Sequence, residues 1–204
     1  IAALFTGGLL PAVVLGLGLV GLPFTLYRQF GLEARFGFNR MTPRLFVVDL
    51  VKGIVVGAVL GLPLVAVILW LMQSAGTWWW LWAWAVWAVF NLAVLWLFPT
   101  VIAPLFNKFT PLADAALAER IGALARRCGF ALEGLFVMDG SKRSAHGNAY
   151  FTGFGKAKRI VFFDTLLARL NGDEIEAVLA HELGHFKHRH IVRRIAVSFT
   201  VSLG

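Results

Sequence analysis

The chain has 204 residues, of which 59% are hydrophobic and 15% are charged, and its formal net charge at pH 7 is +8. Soluble domains average about 25% charged residues, so this composition indicates a membrane protein and argues against an ordinary soluble domain. The excess of basic residues does not indicate nucleic-acid binding, because the sequence contains no recognition pattern of basic and aromatic residues.

Three long apolar segments in the first half of the chain predict membrane spans. These spans are 1–27, 45–72 and 78–104, and together they make 1–107 a transmembrane region. No charged residue occurs between Lys52 and Lys108. The first segment is too long for the apolar core of a signal peptide and lacks a basic start, so it is also interpreted as a span.

The basic residues are distributed unevenly along the chain. Five of them follow the first span, in or just after the basic loop 28–44, whereas the turn after the second span has none and the other fourteen lie from Lys108 onward. The positive-inside rule then places loop 28–44 and the segment after Lys108 on the cytoplasmic side. The membrane would be a bacterial inner membrane, or the endoplasmic reticulum in a eukaryote. Membrane lipids with anionic headgroups are the expected partners of this surface.

From residue 108 to residue 190 the pattern is that of a soluble segment. Apolar residues recur at helical spacing from Leu117 to Cys128, which predicts a short amphipathic helix that packs either on protein or on the membrane surface. Three strands are predicted from the sequences LEGLFVMDG, NAYFTGF and RIVFFDTLL, and the last two form a β-hairpin around a Gly-Lys-Ala-Lys turn. A further helix is expected to begin around Asp173.

The predicted fold class is therefore mainly α, a polytopic membrane protein with transmembrane helices plus a small α+β segment that contains a β-hairpin. The apolar residues 191–204 are interpreted as the start of a further membrane helix. Because the chain begins with Ile1 and ends inside this apolar run, we expect it to be a piece of a longer protein.

His181-Glu182-Leu183-Gly184-His185 forms an H-E-x-x-H motif inside the helix predicted after Asp173. Residues four apart on a helix project from one face, so the imidazoles of His181 and His185 can bind one tetrahedral Zn²⁺. Glu182 is then placed beside the metal, where it can accept a proton from a water that attacks a peptide carbonyl. The motif predicts a metallopeptidase site in 108–190, with His181 and His185 as zinc ligands and Glu182 as the catalytic residue.

The remaining histidines of this helix have less specific interpretations. His188 shares the metal-facing side as a ligand or as a donor to one, although three ligands from one straight helix strain tetrahedral geometry. His190 is interpreted as part of a basic collar at the membrane interface. Hydrolytic zinc sites usually have three protein ligands and one water, so the third ligand is expected downstream of Gly204.

The chain resembles the type I CAAX prenyl proteases, which are integral-membrane zinc metallopeptidases of the gluzincin kind. The resemblance runs in the order of the family from Leu22 to His190. It rests on LPFTLYRQFGLEARFGFNRMTPRLF, PLFNKFTPL, DGSKRSAHGNAYFTGFGKAKRIVFFDTLL and VLAHELGHFKHRH. It implies seven membrane helices around a chamber, a catalytic segment on the cytoplasmic side, and a third zinc ligand in a downstream Glu-x-x-x-Asp-like motif.

The resemblance also implies that Asn148, Ala149 and Tyr150 form the strand that aligns the substrate. An edge strand near the zinc can bind an extended peptide through main-chain hydrogen bonds, and the side-chain amide of Asn148 can contribute. From the residues alone, Asn148 reads more readily as a turn residue after Gly147.

The function implied by the resemblance is removal of the C-terminal tripeptide from a prenylated CAAX protein or peptide. Two alternatives stay open. One is a membrane-protein quality-control zinc protease of the heat-shock type, and the other is a non-catalytic metal-binding membrane scaffold. Glu182 argues against the scaffold, because a structural metal site needs no base beside the metal. The sequence does not determine the oligomeric state.

Overall fold

The computed structural model describes residues 10–152, 158–187 and 190–203. Its first half is helical. Helix α1, Leu10–Leu26, continues through the π-helical turn Tyr27–Leu32 into the short helix α2, Glu33–Arg35. Helix α3 covers Pro43–Ser74, and α4, Trp79–Leu97, continues through the π-helical turn Phe98–Ile102 into α5, Ala103–Phe106.

Two helices in the described part of the chain are long and apolar enough to cross a membrane, namely Pro43–Ser74 and Gly76–Phe106. With 32 and 31 residues, each exceeds the roughly 20 residues that span the hydrocarbon core. The second and third predicted spans, 45–72 and 78–104, fall within them. Both helices expose many large apolar side chains, and exposed apolar surface of this extent marks contact with lipid or with another protein.

The connection between α2 and α3 is shorter than the predicted loop 28–44, because helical structure continues through Arg35. Gly31 lies against the ring of Tyr27 within the π-helical turn, and a Cβ atom at this position would lie 3.2 Å from that ring. Gly37, with φ of 74°, ends the helix in a Schellman motif. Its two hydrogen bonds run from Phe38 N–H to Glu33 O at 2.8 Å and from Gly37 N–H to Ala34 O at 3.1 Å.

A four-stranded sheet forms the centre of the soluble segment. Its strands are β1 (Phe109–Pro111), β2 (Leu132–Met138), β3 (Ala149–Thr152) and β4 (Lys158–Phe163), in the order β1-β2-β4-β3. Strands β2 and β4 are parallel, and the other pairs are antiparallel. The predicted hairpin of β3 and β4 is confirmed, while its turn, 153–157, lies outside the described residues. Strand β3 is an edge of the sheet in the described part of the chain.

Two details of the sheet differ from the prediction. Strand β1 was not predicted, because three residues that include Pro111 are too few to show an alternating pattern. The prediction of a strand through Leu167 is wrong, because Asp164–Leu167 forms the short helix α7. The Asp164 carboxylate accepts hydrogen bonds from the backbone N–H groups of Thr165 and Ser141, both at 2.8 Å, and so turns the chain out of the sheet.

Helix α6, Ala115–Arg127, confirms the predicted amphipathic helix and packs on protein. Its N-cap is Asp114, whose carboxylate accepts from Leu117 N–H at 3.0 Å, and Gly129, with φ of 69°, follows its C-terminal end. Its apolar face joins the buried core of the soluble segment with the sheet and with helix α8, Gly172–Lys187. The largest buried side chains of this core are Ile121, Ile160, Phe162, Leu179 and Leu183.

Charged residues on the surface link α6 to the start of α8. Arg120 donates from Nη2 to Asp173 at 2.5 Å and to Glu176 at 2.8 Å, and Arg127 lies 3.5 Å from the other Glu176 oxygen. The two carboxylates raise the pKa of Arg120. Because these ion pairs are exposed, the apolar contacts beneath them contribute most of the stability. Helix α9, His190–Leu203, then follows α8 in the chain.

Candidate active site

The H-E-x-x-H motif lies in the C-terminal half of helix α8. The buried side of this helix consists of Ile175, Leu179 and Leu183, which are 2%, 0% and 1% exposed. His181 is exposed and Glu182 is half-buried. Because successive helical residues turn by about 100°, positions 181 and 185 lie only about 40° apart, on a face turned away from the buried side. The fold of α8 therefore leaves both histidine positions outside the core.

The donor set of this face fits zinc. Imidazole nitrogens at positions one helical turn apart are a common pair of zinc ligands, and the intervening half-buried carboxylate is available as a base. The side chains of His185 and His190, and the whole of His188, lie outside the described residues. Among the residues that the structure describes, no group of three or more His, Cys, Asp and Glu side chains could hold a metal ion.

The substrate strand implied by the resemblance coincides with the start of β3. Ala149 pairs with Phe162 of β4, and the N–H of Phe163 donates to the Asn148 carbonyl at 2.9 Å. In this antiparallel register the backbone groups of Ala149 and of Phe151 face away from β4. They face the outer edge of β3, where no other strand of the described chain pairs. This edge is a surface to which an extended peptide could add as a further strand.

The three predicted substrate residues have different surroundings. Asn148 is exposed, and its side-chain oxygen accepts from the N–H of Ala149 at 2.8 Å. Tyr150 is half-buried, with its ring 6.3 Å from that of Phe163 in an edge-on arrangement, and burial raises the pKa of its phenol. The side chain of Tyr150 therefore packs against the sheet, whereas the side chain of Asn148 is accessible at the outer edge.

The edge strand and the motif helix contribute to the same buried core. Ala149 of β3 is 9% exposed and belongs to the same buried cluster as Leu179 and Leu183 of α8. Leu183 directly follows Glu182 in the chain. The elements that carry the two predicted parts of the site, β3 and α8, thus belong to one packed unit although about thirty residues separate Tyr150 from His181 in the sequence.

One residue near this site was missed by reasoning from the sequence. Arg143, six residues before β3, forms an ion pair with Asp49 of the long apolar helix α3. The available signal was Asp49 itself. An acidic residue within a predicted span is costly in lipid and therefore requires a partner, and Asp49 lies inside the predicted span 45–72.

Family models match both halves of the chain. Residues 7–108 match the model described as CAAX prenyl protease N-terminal, five membrane helices, and residues 111–203 match peptidase family M48. Together with the apolar helices, these matches define a multi-pass membrane protein whose second half belongs to peptidase family M48. The chain belongs to the CAAX prenyl protease family, as the resemblance predicted, and the predicted fold class is confirmed.

Individual relatives support this membership. A CAAX prenyl protease 1 homolog from Arabidopsis thaliana is 49% identical over 170 residues, covering 83% of this chain and 40% of the relative. CAAX prenyl protease 1 from Saccharomyces cerevisiae is 44% identical over 182 residues, covering 88% of this chain and 40% of the relative. The crystal structure of S. mikatae Ste24p superposes with a TM-score of 0.90 at 41% identity, covering 95% of this chain and 45% of that one. The chain thus spans less than half the length of these proteins.

Proposed function

We propose that this chain supplies the catalytic base and two zinc ligands of a membrane-embedded zinc metalloendopeptidase. Its substrates would be prenylated CAAX proteins, from which it removes the C-terminal tripeptide. The observation that carries this proposal is the packing of the motif helix α8 and the open-edged strand β3 around one core, in a chain of the CAAX prenyl protease family. The division into a transmembrane region 1–107, a metallopeptidase segment 108–190 and a further membrane helix from 191 is part of the proposal.

In this proposal His181 and His185 hold the zinc ion through their imidazole nitrogens, and a residue downstream of Gly204 completes the protein ligands. When bound, zinc supplies a Lewis acid that polarises the carbonyl of the scissile peptide and lowers the pKa of the attacking water. The half-buried carboxylate of Glu182 accepts a proton from the water as it attacks. It then delivers that proton to the nitrogen of the leaving amine.

The outer edge of β3 orients the substrate. The backbone groups of Ala149 and Phe151 that face this edge pair with an extended substrate peptide, as in other cases of strand addition. The exposed amide of Asn148 adds a hydrogen bond to the substrate backbone. For this, the side-chain oxygen of Asn148 gives up its hydrogen bond with the N–H of Ala149. That N–H can then donate to the same peptide.

The catalytic segment is proposed to lie on the cytoplasmic side. The backbone of residues 38–40, which follows the first apolar helix, pairs with residues 143–145 of the soluble segment. Both regions therefore lie on the same side of the membrane. The concentration of Lys and Arg in these regions supports the cytoplasmic assignment.

Substitution of Asn148 separates substrate binding from a turn-capping role. We expect Asn148→Ala in the full-length protein to raise KM by about five- to ten-fold, the equivalent of one lost hydrogen bond, with little change in kcat. The measurement is steady-state hydrolysis of a prenylated CAAX peptide, together with thermal unfolding of each variant.

Asn171 provides the matched control, because its side-chain oxygen caps helix α8 by accepting from the N–H groups of Asp173 and Glu174, both at 3.0 Å. Asn171→Ala should lower the free energy of unfolding by about 1 kcal/mol and leave KM unchanged. If Asn148→Ala shows this same pattern, Asn148 is a capping residue and not a substrate contact.

The substrate class is tested with two peptides of identical sequence, one farnesylated on the CAAX cysteine and one without the lipid. We expect the farnesylated peptide to have a kcat/KM at least about 10²-fold higher, because each buried CH₂ contributes about 0.8 kcal/mol. The measurement uses the full-length protein in lipid vesicles. Equal rates for the two peptides would reject the CAAX assignment and favour a quality-control protease.

A further inference from the structure

Arg143 connects the soluble segment to both long apolar helices. Its Nε and Nη2 atoms donate to the two carboxylate oxygens of Asp49 on α3, at 2.7 and 3.0 Å. Nη1 donates to the side-chain oxygen of Asn107 at 2.6 Å, and Nη2 donates to the carbonyl of Phe106 at 2.6 Å. The side chains of Arg143 and Asp49 are only 20% and 15% exposed, so water screens this bidentate pair weakly.

The residues around Arg143 are also attached to the connection that follows the first apolar helix. The backbone of 38–40 pairs with that of 143–145, and the ring of His146 stacks on that of Phe38 with centroids 4.2 Å apart. The backbone bonds run from Arg40 N–H to Arg143 O at 3.1 Å and from Ala145 N–H to Phe38 O at 2.8 Å. Segment 143–146 therefore contacts helix α3, the end of helix α5 and the connection between α2 and α3.

Segment 143–146 leads directly into Asn148 and strand β3. The four residues of β3 pair with only one other strand in the described chain, β4. Ala149 of β3 and three residues of α8, Ile175, Leu179 and Leu183, belong to the same buried core. The contacts of segment 143–146 are the connection to the membrane helices nearest to β3 in the chain, and a second connection at the far edge of the sheet is made by β1, which follows α5 directly.

From this arrangement we propose that Arg143 is a positioning residue, in a role that rests on the proposed function. Arg143 fixes the position of strand β3 along the axes of the membrane helices. A lipid-anchored substrate is thereby cut at a constant distance from its anchored residue. Arg143 does not touch the reacting atoms in this role, and acts through the placement of β3.

The planar guanidinium is needed for this role. Arg143 makes four hydrogen bonds in three directions, whereas a lysine ammonium has three donors and cannot form the bidentate contact with Asp49. The packing of the apolar helices has independent support, because Lys52 Nζ of α3 donates to the carbonyl of Leu105 at 2.8 Å. We therefore expect Arg143→Lys to fold and to lose the alignment of β3.

The test compares Arg143→Lys with the wild type in the full-length protein in lipid vesicles, using the farnesylated and unprenylated peptides. We expect kcat/KM for the farnesylated peptide to fall by about ten-fold or more, since small misplacements are costly, and its cleavage products to become heterogeneous by mass spectrometry. Turnover of the unprenylated peptide should change by less than about two-fold, because the core shared by β3 and α8 remains.

Lys142→Gln is the matched control. Lys142 is the neighbour of Arg143 and makes its own ion pair of 2.7 Å, but its partner Asp139 lies within the soluble segment. Lys142→Gln should retain the wild-type preference for the farnesylated peptide and should cut it at a single site. Equal losses for both peptides in Arg143→Lys, or no loss for either, would overturn the positioning role. If the wild-type protein cuts both peptides at equal rates, the proposed function is wrong. This result is obtained from the wild type without any variant, so it is distinguishable from failure of the positioning role.

Discussion

Glu182→Gln in the full-length protein is expected to lower kcat for peptide hydrolysis by at least about 10²-fold while zinc stays bound. The substituted amide keeps the size of the side chain but cannot accept a proton from the attacking water. Because Glu182 is half-buried on the exposed flank of α8, and Leu179 and Leu183 stay buried beneath it, the helix should remain folded. The measurements are steady-state hydrolysis, zinc content by elemental analysis, and thermal unfolding.

The same helix offers a control for this substitution. Glu176 is also half-buried, but it lies at the start of α8 and its carboxylate pairs with Arg120 and Arg127. Glu176→Gln removes a charge without touching the proposed site, so kcat should stay within about two-fold of the wild type and stability should fall by at most about 1 kcal/mol. Unchanged turnover in Glu182→Gln would refute Glu182 as the base, whereas a wild-type protein that binds zinc without hydrolysing peptide would favour the scaffold alternative.

His181→Ala is expected to lose both zinc and activity. Removing one of the proposed ligands should weaken zinc binding by more than about 10²-fold, a larger effect than is typical of residues that only support a ligand. His181 is exposed, so its removal leaves the core of the soluble segment intact and the metal-free variant should still unfold in one cooperative transition, as the metal-free wild type should. Zinc stoichiometry and affinity are measured directly, without reference to turnover.

Metal removal and replacement complete this experiment. A chelator should inactivate the wild type, and added Zn²⁺ should restore hydrolysis, whereas the same concentration should not restore His181→Ala. If the variant retains one zinc per chain with wild-type affinity, His181 is not a ligand. The zinc would then have to be held by other residues.

Elements with a strong local signal were predicted correctly. The amphipathic repeat of α6 matches its buried face, and the glycine after Cys128 marks its end. The hairpin of β3 and β4 was also evident, because aromatic and β-branched residues dominate both strands. Weak local signals produced the differences. The three residues of β1 carry no pattern, and the FFDTLL run reads as one strand although Asp164 turns it into a helix.

Some features of the candidate site were also predictable from the sequence, and others were not. His181, Glu182 and His185 are within about one helical turn of each other, so their common face follows from the sequence. The relation of this face to Asn148 does not follow from it, because the parallel pairing of β2 with β4 that organises the sheet is a non-local contact. Arg143 and Asp49 are 94 residues apart, and the sequence around either residue does not predict that the two form an ion pair.

The sequence by itself determined that this protein belongs in a membrane, that a helix carries an H-E-x-x-H face, and which family it belongs to. The first two conclusions depend on composition and on spacings of a few residues, which helical geometry converts directly into positions, whereas the family rests on the resemblance of segments between Leu22 and His190. The tertiary structure alone decided that β3 has an open outer edge in the described chain, that this strand shares a core with the motif helix, and that Arg143 pairs with Asp49 of helix α3. Each of these relations results from side-chain packing or ion pairing between distant segments, and no local periodicity encodes it.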